Sequence, residues 1–132
     1  MANENIQELL ETFCLAEKDL NLVRNVKTLI IPQLEHMIDA FYIWLKPQPA
    51  YEVFFSNPDV LSSVQKKQRD HWEDLFTAEI NQDYIERRVM VGEVHAKIGM
   101  APDLFCAGMN FCATWLAAFI SKQSKLTELE IV

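Results

Sequence analysis

Residues 94–100, Val94-His95-Ala96-Lys97-Ile98-Gly99-Met100, put a histidine on the apolar side of a helix immediately before that helix stops. At about 100° per residue, Tyr84, Arg88, Val91, His95 and Ile98 fall on one stripe. Gly99 suits a left-handed helix stop, and Pro102-Asp103 suits the start of the next helix. Flanked by Val91 and Ile98, His95 is expected to be largely desolvated, which favours the neutral imidazole that ligates a metal. A core histidine satisfied by a backbone carbonyl leaves the same trace in a sequence, so the segment by itself keeps both readings open.

Working outward, the chain reads as a run of helices punctuated by proline. Asn5 to Ile31 carries apolar residues at helical spacing (Ile6, Leu9, Leu10, Phe13, then Leu22, Val26, Leu29, Ile30), with a break expected near Ala16 to Leu20. Pro32 opens a helix with Leu34, Met37, Ile38, Phe41 and Leu45 on one side, and Pro47 and Pro49 end it. Lys46 to Ser56 reads as a loop or short turn. Asn57-Pro58-Asp59 combines a capping side chain, a proline at the first helical position and an acid in the first turn, and predicts a helix to about Phe76. Its stripe is Leu61, Val64, Gln68, Trp72 and Leu75. Asn81-Gln82-Asp83 caps the helix that carries His95. Pro102 to about Ser121 is a further helix, apolar on nearly all sides from Leu104 to Ile120, and is expected to be a central core helix that also meets a partner subunit. A membrane span of about 20 residues is the competing reading of that run, weakened by Asn110 and Thr114. A last helical segment begins near Ser124 and is expected to be cut short, as in the N-terminal part of a longer signalling protein.

With 132 residues, half of them hydrophobic, the chain is one domain with enough apolar surface for a core. Three glycines and few period-two stretches point to an all-α fold. The formal charge of −7 disfavours nucleic acid and anionic membranes as partners. The opening residues have neither a basic nor an apolar signal region, so a cytoplasmic location is expected. Cys14, Cys106 and Cys112 show no CxxC spacing and are expected to be reduced, mostly buried thiols; without CxxCH, any haem is held non-covalently.

Several other residues can carry chemistry. Gln65 and Gln68 lie near the apolar stripe of their helix, where a glutamine needs a hydrogen-bond partner or reaches water at the edge. His71, beside Trp72, is either a second axial ligand or a partly exposed residue one step off a pocket. Tyr42, at the border of an apolar face, is either a core tyrosine or a hydroxyl donor to a bound ligand. No distal histidine–arginine pair of the kind peroxidase chemistry needs stands out, so an enzyme is not expected.

Taken together, these segments resemble the sensor domain of the bacterial globin-coupled sensors. The matching parts are Phe41-Tyr42 with Leu45, Phe55, Gln68 with His71-Trp72, Leu75-Phe76, Tyr84 with Arg87-Arg88, and Gly92 to Pro102 with its V-H-x-x-I-G core. They span about Leu20 to Ile120. The resemblance implies an all-α globin fold with an extra N-terminal helix and no D helix, holding haem b (iron protoporphyrin IX). His95 matches the proximal iron ligand and Tyr42 the distal tyrosine that hydrogen-bonds bound O2. Leu61, Val64, Gln65, Gln68, Val91 and Ile98 are the further pocket residues, with Gln65 or Val64 at the distal position where family members often carry leucine. Lys66, Lys67, Arg69, Arg87, Arg88 and Lys97 are the cations available to the haem propionates. The implied function is O2 sensing, with CO and NO as further ligands, through a homodimer formed by the last two helices and a downstream output domain. A haem-free globin-like signalling or protein-interaction domain is the alternative.

Overall fold

A computed structural model describes residues 5–123. The helices are α1 (Ile6–Thr12), α2 (Glu17–Ile30), a 3-10 turn over Ile31–Gln33, α3 (Leu34–Leu45), α4 (Ala50–Phe55), α5 (Pro58–Leu75), α6 (Gln82–Lys97) and α7 (Pro102–Gln123), with no strand among the described residues. The segment expected from Ser124 onward lies outside them.

Local chemistry sets most boundaries. The Asn57 side chain accepts from the Asp59 amide at 2.9 Å and starts α5, and Asn81 does the same for the Tyr84 amide at the head of α6. The break in the first segment falls over Phe13 to Ala16, earlier than the expected Ala16 to Leu20, of which Glu17 to Leu20 already belong to α2. There Cys14 takes a left-handed conformation (φ 58°), its amide bonds the Glu11 carbonyl and the Leu15 amide bonds the Leu10 carbonyl. At the far end of α6, Gly99 (φ 76°) turns the chain. Met100 N–H donates to the His95 carbonyl and Gly99 N–H to the Ala96 carbonyl, both at 3.1 Å. This Schellman closure fixes the backbone of His95.

The core is built around α3. Ile30, Leu34 and Met37 are fully enclosed, and Ile38, Tyr42, Leu45, Cys112 and Leu116 complete the buried cluster. The helix backbones approach most closely where α3 meets α5 and α7, α2 meets α7 and α4 meets α5. Gly108 lets α7 press against Phe41 of α3: a Cβ there would lie 3.2 Å from that ring.

Two expectations need correction here. Lys46 to Ser56 is not all loop, because Ala50–Phe55 closes a short helix whose Tyr51 and Phe55 pack against the core. The thiols are free but not mostly buried: Cys14 sits in the exposed turn after α1 and Cys106 on the outer side of α7, leaving Cys112 alone inside. The helix α7, expected as a core helix, gives one face to the core. Gly108, Cys112 and Leu116 point inward, while Cys106, Met109, Ala113 and Ala117 lie outward. Among the described residues, Pro102–Lys122 is the one helix long and apolar enough to cross a bilayer by length and composition.

Candidate functional site

The candidate site lies on α3, α5 and α6, the last two being helices without a single buried residue. Because α6 brings nothing to the buried cluster, polar and edge contacts hold it. Asp74, near the end of α5, accepts from Arg87 Nε at 2.9 Å, from Arg87 Nη2 at 3.1 Å and from Arg88 Nη2 at 2.8 Å. Partial burial opposes ionisation of Asp74, but the two guanidinium groups outweigh it and hold the carboxyl below its ordinary range. Arg88 also lies 4.7 Å from the Tyr84 ring centroid, a cation–π contact one turn along the helix. On the opposite side, Arg24 of α2 donates to the Ala78 carbonyl at 2.8 Å and ties down the α5–α6 connection.

His95 is half-buried rather than largely desolvated, since Ile98 beside it at the helix end is 48% exposed. Its Nδ1 lies 2.7 Å from the Val91 carbonyl oxygen. A carbonyl can only accept, so Nδ1 is the donor, and in the neutral ring the lone pair is then on Nε2. The ring also meets Phe105 of α7 edge-on, with centroids 4.9 Å apart. The arrangement fits a haem iron: one imidazole, oriented from behind by a backbone carbonyl. Among the described residues no three His, Cys, Asp or Glu side chains gather as a metal-holding group.

Tyr42 is buried, and its hydroxyl donates to Gln68 Oε1 at 2.5 Å. Burial first, then the neighbouring Tyr51 and Cys112, push that hydroxyl far above the ordinary phenol value, against the smaller opposing effect of the Gln68 bond. It stays protonated and remains a donor. Burial likewise drives the Cys112 thiol up to about 11. Leu61 packs against the core cluster and Val64 is half-buried on the same helix. Val91 is half-buried on α6.

The structure separates the two glutamines. Gln68 meets Tyr42, whereas Gln65 lines a polar groove with Glu35, Ile38, Asp39, Lys66 and Arg69. His71 is half-buried and edge-on to Trp72. Burial, then Arg88, with His95 adding to them, drive it down to about 4 against the pull of Asp74, so it is a neutral imidazole at ordinary pH. Its Nδ1, with Nε and Nη1 of Arg88, is buried without a partner among the described residues. Of the candidate cations, Arg69 pairs with Glu35 at 3.4 Å and Arg87 and Arg88 with Asp74. Phe105 escaped the sequence reading. The available signal was its place directly after the Gly99–Pro102 turn, which folds α7 back beside the histidine.

Two comparisons bear on this arrangement. The fold is similar to the globin domain of a Geobacter sulfurreducens globin-coupled sensor, with a TM-score of 0.85 over 95% of this chain and 82% of that one, at 21% sequence identity. The family model of the protoglobins matches residues 2–132. The all-helical fold is therefore a globin fold, and the chain belongs to the Protoglobin family.

Proposed function

We propose that this chain is a gas-sensing globin domain that holds a b-type haem through His95. The observation that carries the reading is the 2.7 Å contact between His95 Nδ1 and the Val91 carbonyl, which leaves Nε2 free to bind a metal. Haem held there through His95 would supply an iron able to bind a diatomic gas.

The chain's own side chains do the rest. Leu61, Val64 and Val91 give apolar walls that keep water out. Tyr42, buried and protonated, is the hydrogen donor to a polarised ligand. Such a bond contributes about 0.5–1.5 kcal/mol to a neutral acceptor and more to a charged one. O2, which takes on more negative charge than CO, gains more from Tyr42, and the pocket thereby tells these gases apart; NO is a third candidate. The role is binding rather than turnover, because a peroxidase-type site needs a distal acid–base and Tyr42 is held too firmly protonated to serve as one.

Signalling leaves through α7. Phe105 packs on His95, so a displacement of the imidazole is felt at the head of a 22-residue helix. The outward face of that helix, with Met109, Ala113 and Ala117, suits a second copy of the chain in a homodimer. A downstream output domain and a cytoplasmic setting complete the proposal. The net charge of −7 argues against nucleic acid or an anionic membrane as partner.

The test is absorption spectroscopy of the purified chain supplied with hemin. A Soret band that disappears in His95→Ala supports the reading. A colourless protein that takes up no hemin in either oxidation state overturns it and leaves a haem-free signalling domain, in which His95 and Tyr42 are core residues.

A further inference from the structure

We infer that Gln68 sets how strongly Tyr42 can hold a gas ligand, by competing for the one hydrogen that Tyr42 can donate. The inference rests on the gas-sensing reading above. A phenolic hydroxyl has a single hydrogen. Here it points to Gln68 Oε1 at 2.5 Å, the short end of the range for O–H···O bonds.

Neither partner can easily move away. The Tyr42 ring is edge-on to Phe41 (5.1 Å between centroids) and to Phe55 (5.6 Å), both at close to a right angle. These contacts fix the ring and leave the hydroxyl rotation about its own C–O bond. Gln68 lies in the middle of α5, whose neighbouring Leu61 and Trp72 pack against the core. A ligand in the pocket therefore gains the Tyr42 hydrogen only by taking it from Gln68. Gln65 does not enter this competition, since it lines the groove with Glu35 and Asp39. Gln68 keeps two amide hydrogens of its own. If those were the main donors to the ligand, removing the amide would weaken the hold, which is the opposite of what competition requires.

The experiment uses the full chain reconstituted with hemin and reduced, as wild type, Gln68→Met, Tyr42→Phe and the double variant. Gln68→Met keeps the side-chain length without the amide; Gln68→Leu serves if it folds poorly. Releasing the hydroxyl should slow O2 dissociation about two- to tenfold, the span of one neutral hydrogen bond. Tyr42→Phe should speed dissociation, and Gln68→Met should then have no effect in the Tyr42→Phe background. Faster or unchanged dissociation in Gln68→Met, or an effect that survives loss of the hydroxyl, overturns the inference.

A second readout needs no gas. Urea unfolding of the same four proteins should be non-additive, with the double variant no less stable than the weaker single one. Additive losses show that the two side chains are not partners and overturn the inference as well. A wild-type protein without a Soret band overturns the sensing reading and this inference together, and the wild type alone distinguishes that outcome.

Discussion

His95 Nδ1 lies 2.7 Å from the carbonyl oxygen of Val91, one turn earlier on the same helix, and the carbonyl of His95 itself closes the end of that helix by accepting from Met100. Side chain and backbone of one residue are thus both fixed, the first from within α6 and the second from the turn that ends it. Such a partner behind a ligating imidazole sets its tautomer and its orientation. His95→Ala is expected to abolish hemin uptake with little loss of stability, because the residue is only half-buried. His95→Gly should regain a Soret band when free imidazole is added. A full Soret band in His95→Ala would show that another side chain holds the iron.

The clamp of Asp74 on Arg87 and Arg88 compensates for the absence of buried residues in α6. Asp74 and Arg88 are mostly shielded, with side chains 26% and 22% exposed, so their bond matters more than a surface pair. Asp74→Ala should cost about 1–2 kcal/mol after allowance for solvent screening. Arg88→Ala should follow it closely and Arg87→Ala should have the smallest effect. The sign with pH follows from the lowered carboxyl. The stabilisation is complete above the ordinary Asp value of 3.8 and is lost as pH falls through the lower folded value. Urea midpoints for the three variants at pH 7, and for Asp74→Ala and wild type below pH 4, check both statements.

The sequence carried what neighbouring residues decide. Asn57 and Asn81 marked helix starts by their own side chains, Gly99 marked a stop by its freedom at φ 76°, and the stripe through Val91 and His95 marked a face. What it could not carry was contact between distant segments. Gln65 and Gln68 are equally good candidates along α5, and only the approach of α3 brings Tyr42 to Gln68. Phe105 reaches His95 only because the Gly99–Pro102 turn reverses the chain. The short helix Ala50–Phe55 was hidden because flanking prolines read as loop, while Tyr51 and Phe55 gain their place by packing on the core. Hydropathy marked α7 as a core helix, but apolar content alone does not say which of its faces are covered.

Gly108 is the close-contact point between α7 and α3. A Cβ at this position would meet the Phe41 ring at 3.2 Å and 3.6 Å, so the ring must give by a few tenths of an ångström. That ring is itself wedged among Tyr42, Trp44 and Phe111. Gly108→Ala gains helix propensity of up to about 1 kcal/mol and loses a comparable amount to crowding, so stability should change little. Gly108→Leu cannot be absorbed and should cost about 1–3 kcal/mol. Because Phe41 is edge-on to Tyr42, the leucine variant should also change gas dissociation. Thermal unfolding separates the two substitutions, and equal midpoints would show that α7 can shift freely away from α3.

His71 is expected to make the fold acid-sensitive in a window of its own. Burial, aided by Arg88, lowers it from 6.5 to about 4, so the unfolded chain takes up a proton that the folded chain refuses. Between those two values the unfolded state binds more protons, and stability falls as pH falls. Above pH 6.5 the effect is flat, and below about 4 both states are protonated. The full shift would be larger, but the side chain is partly open to solvent, and a loss on the order of 1–2 kcal/mol is expected across the window. Asp74 contributes only below this range, so the two groups separate. His71→Gln removes the proton site at similar polarity. Wild type should lose more stability than His71→Gln between pH 7 and pH 4.5 in urea unfolding. Parallel losses in the two proteins would show that His71 stays hydrated enough to protonate in the folded state.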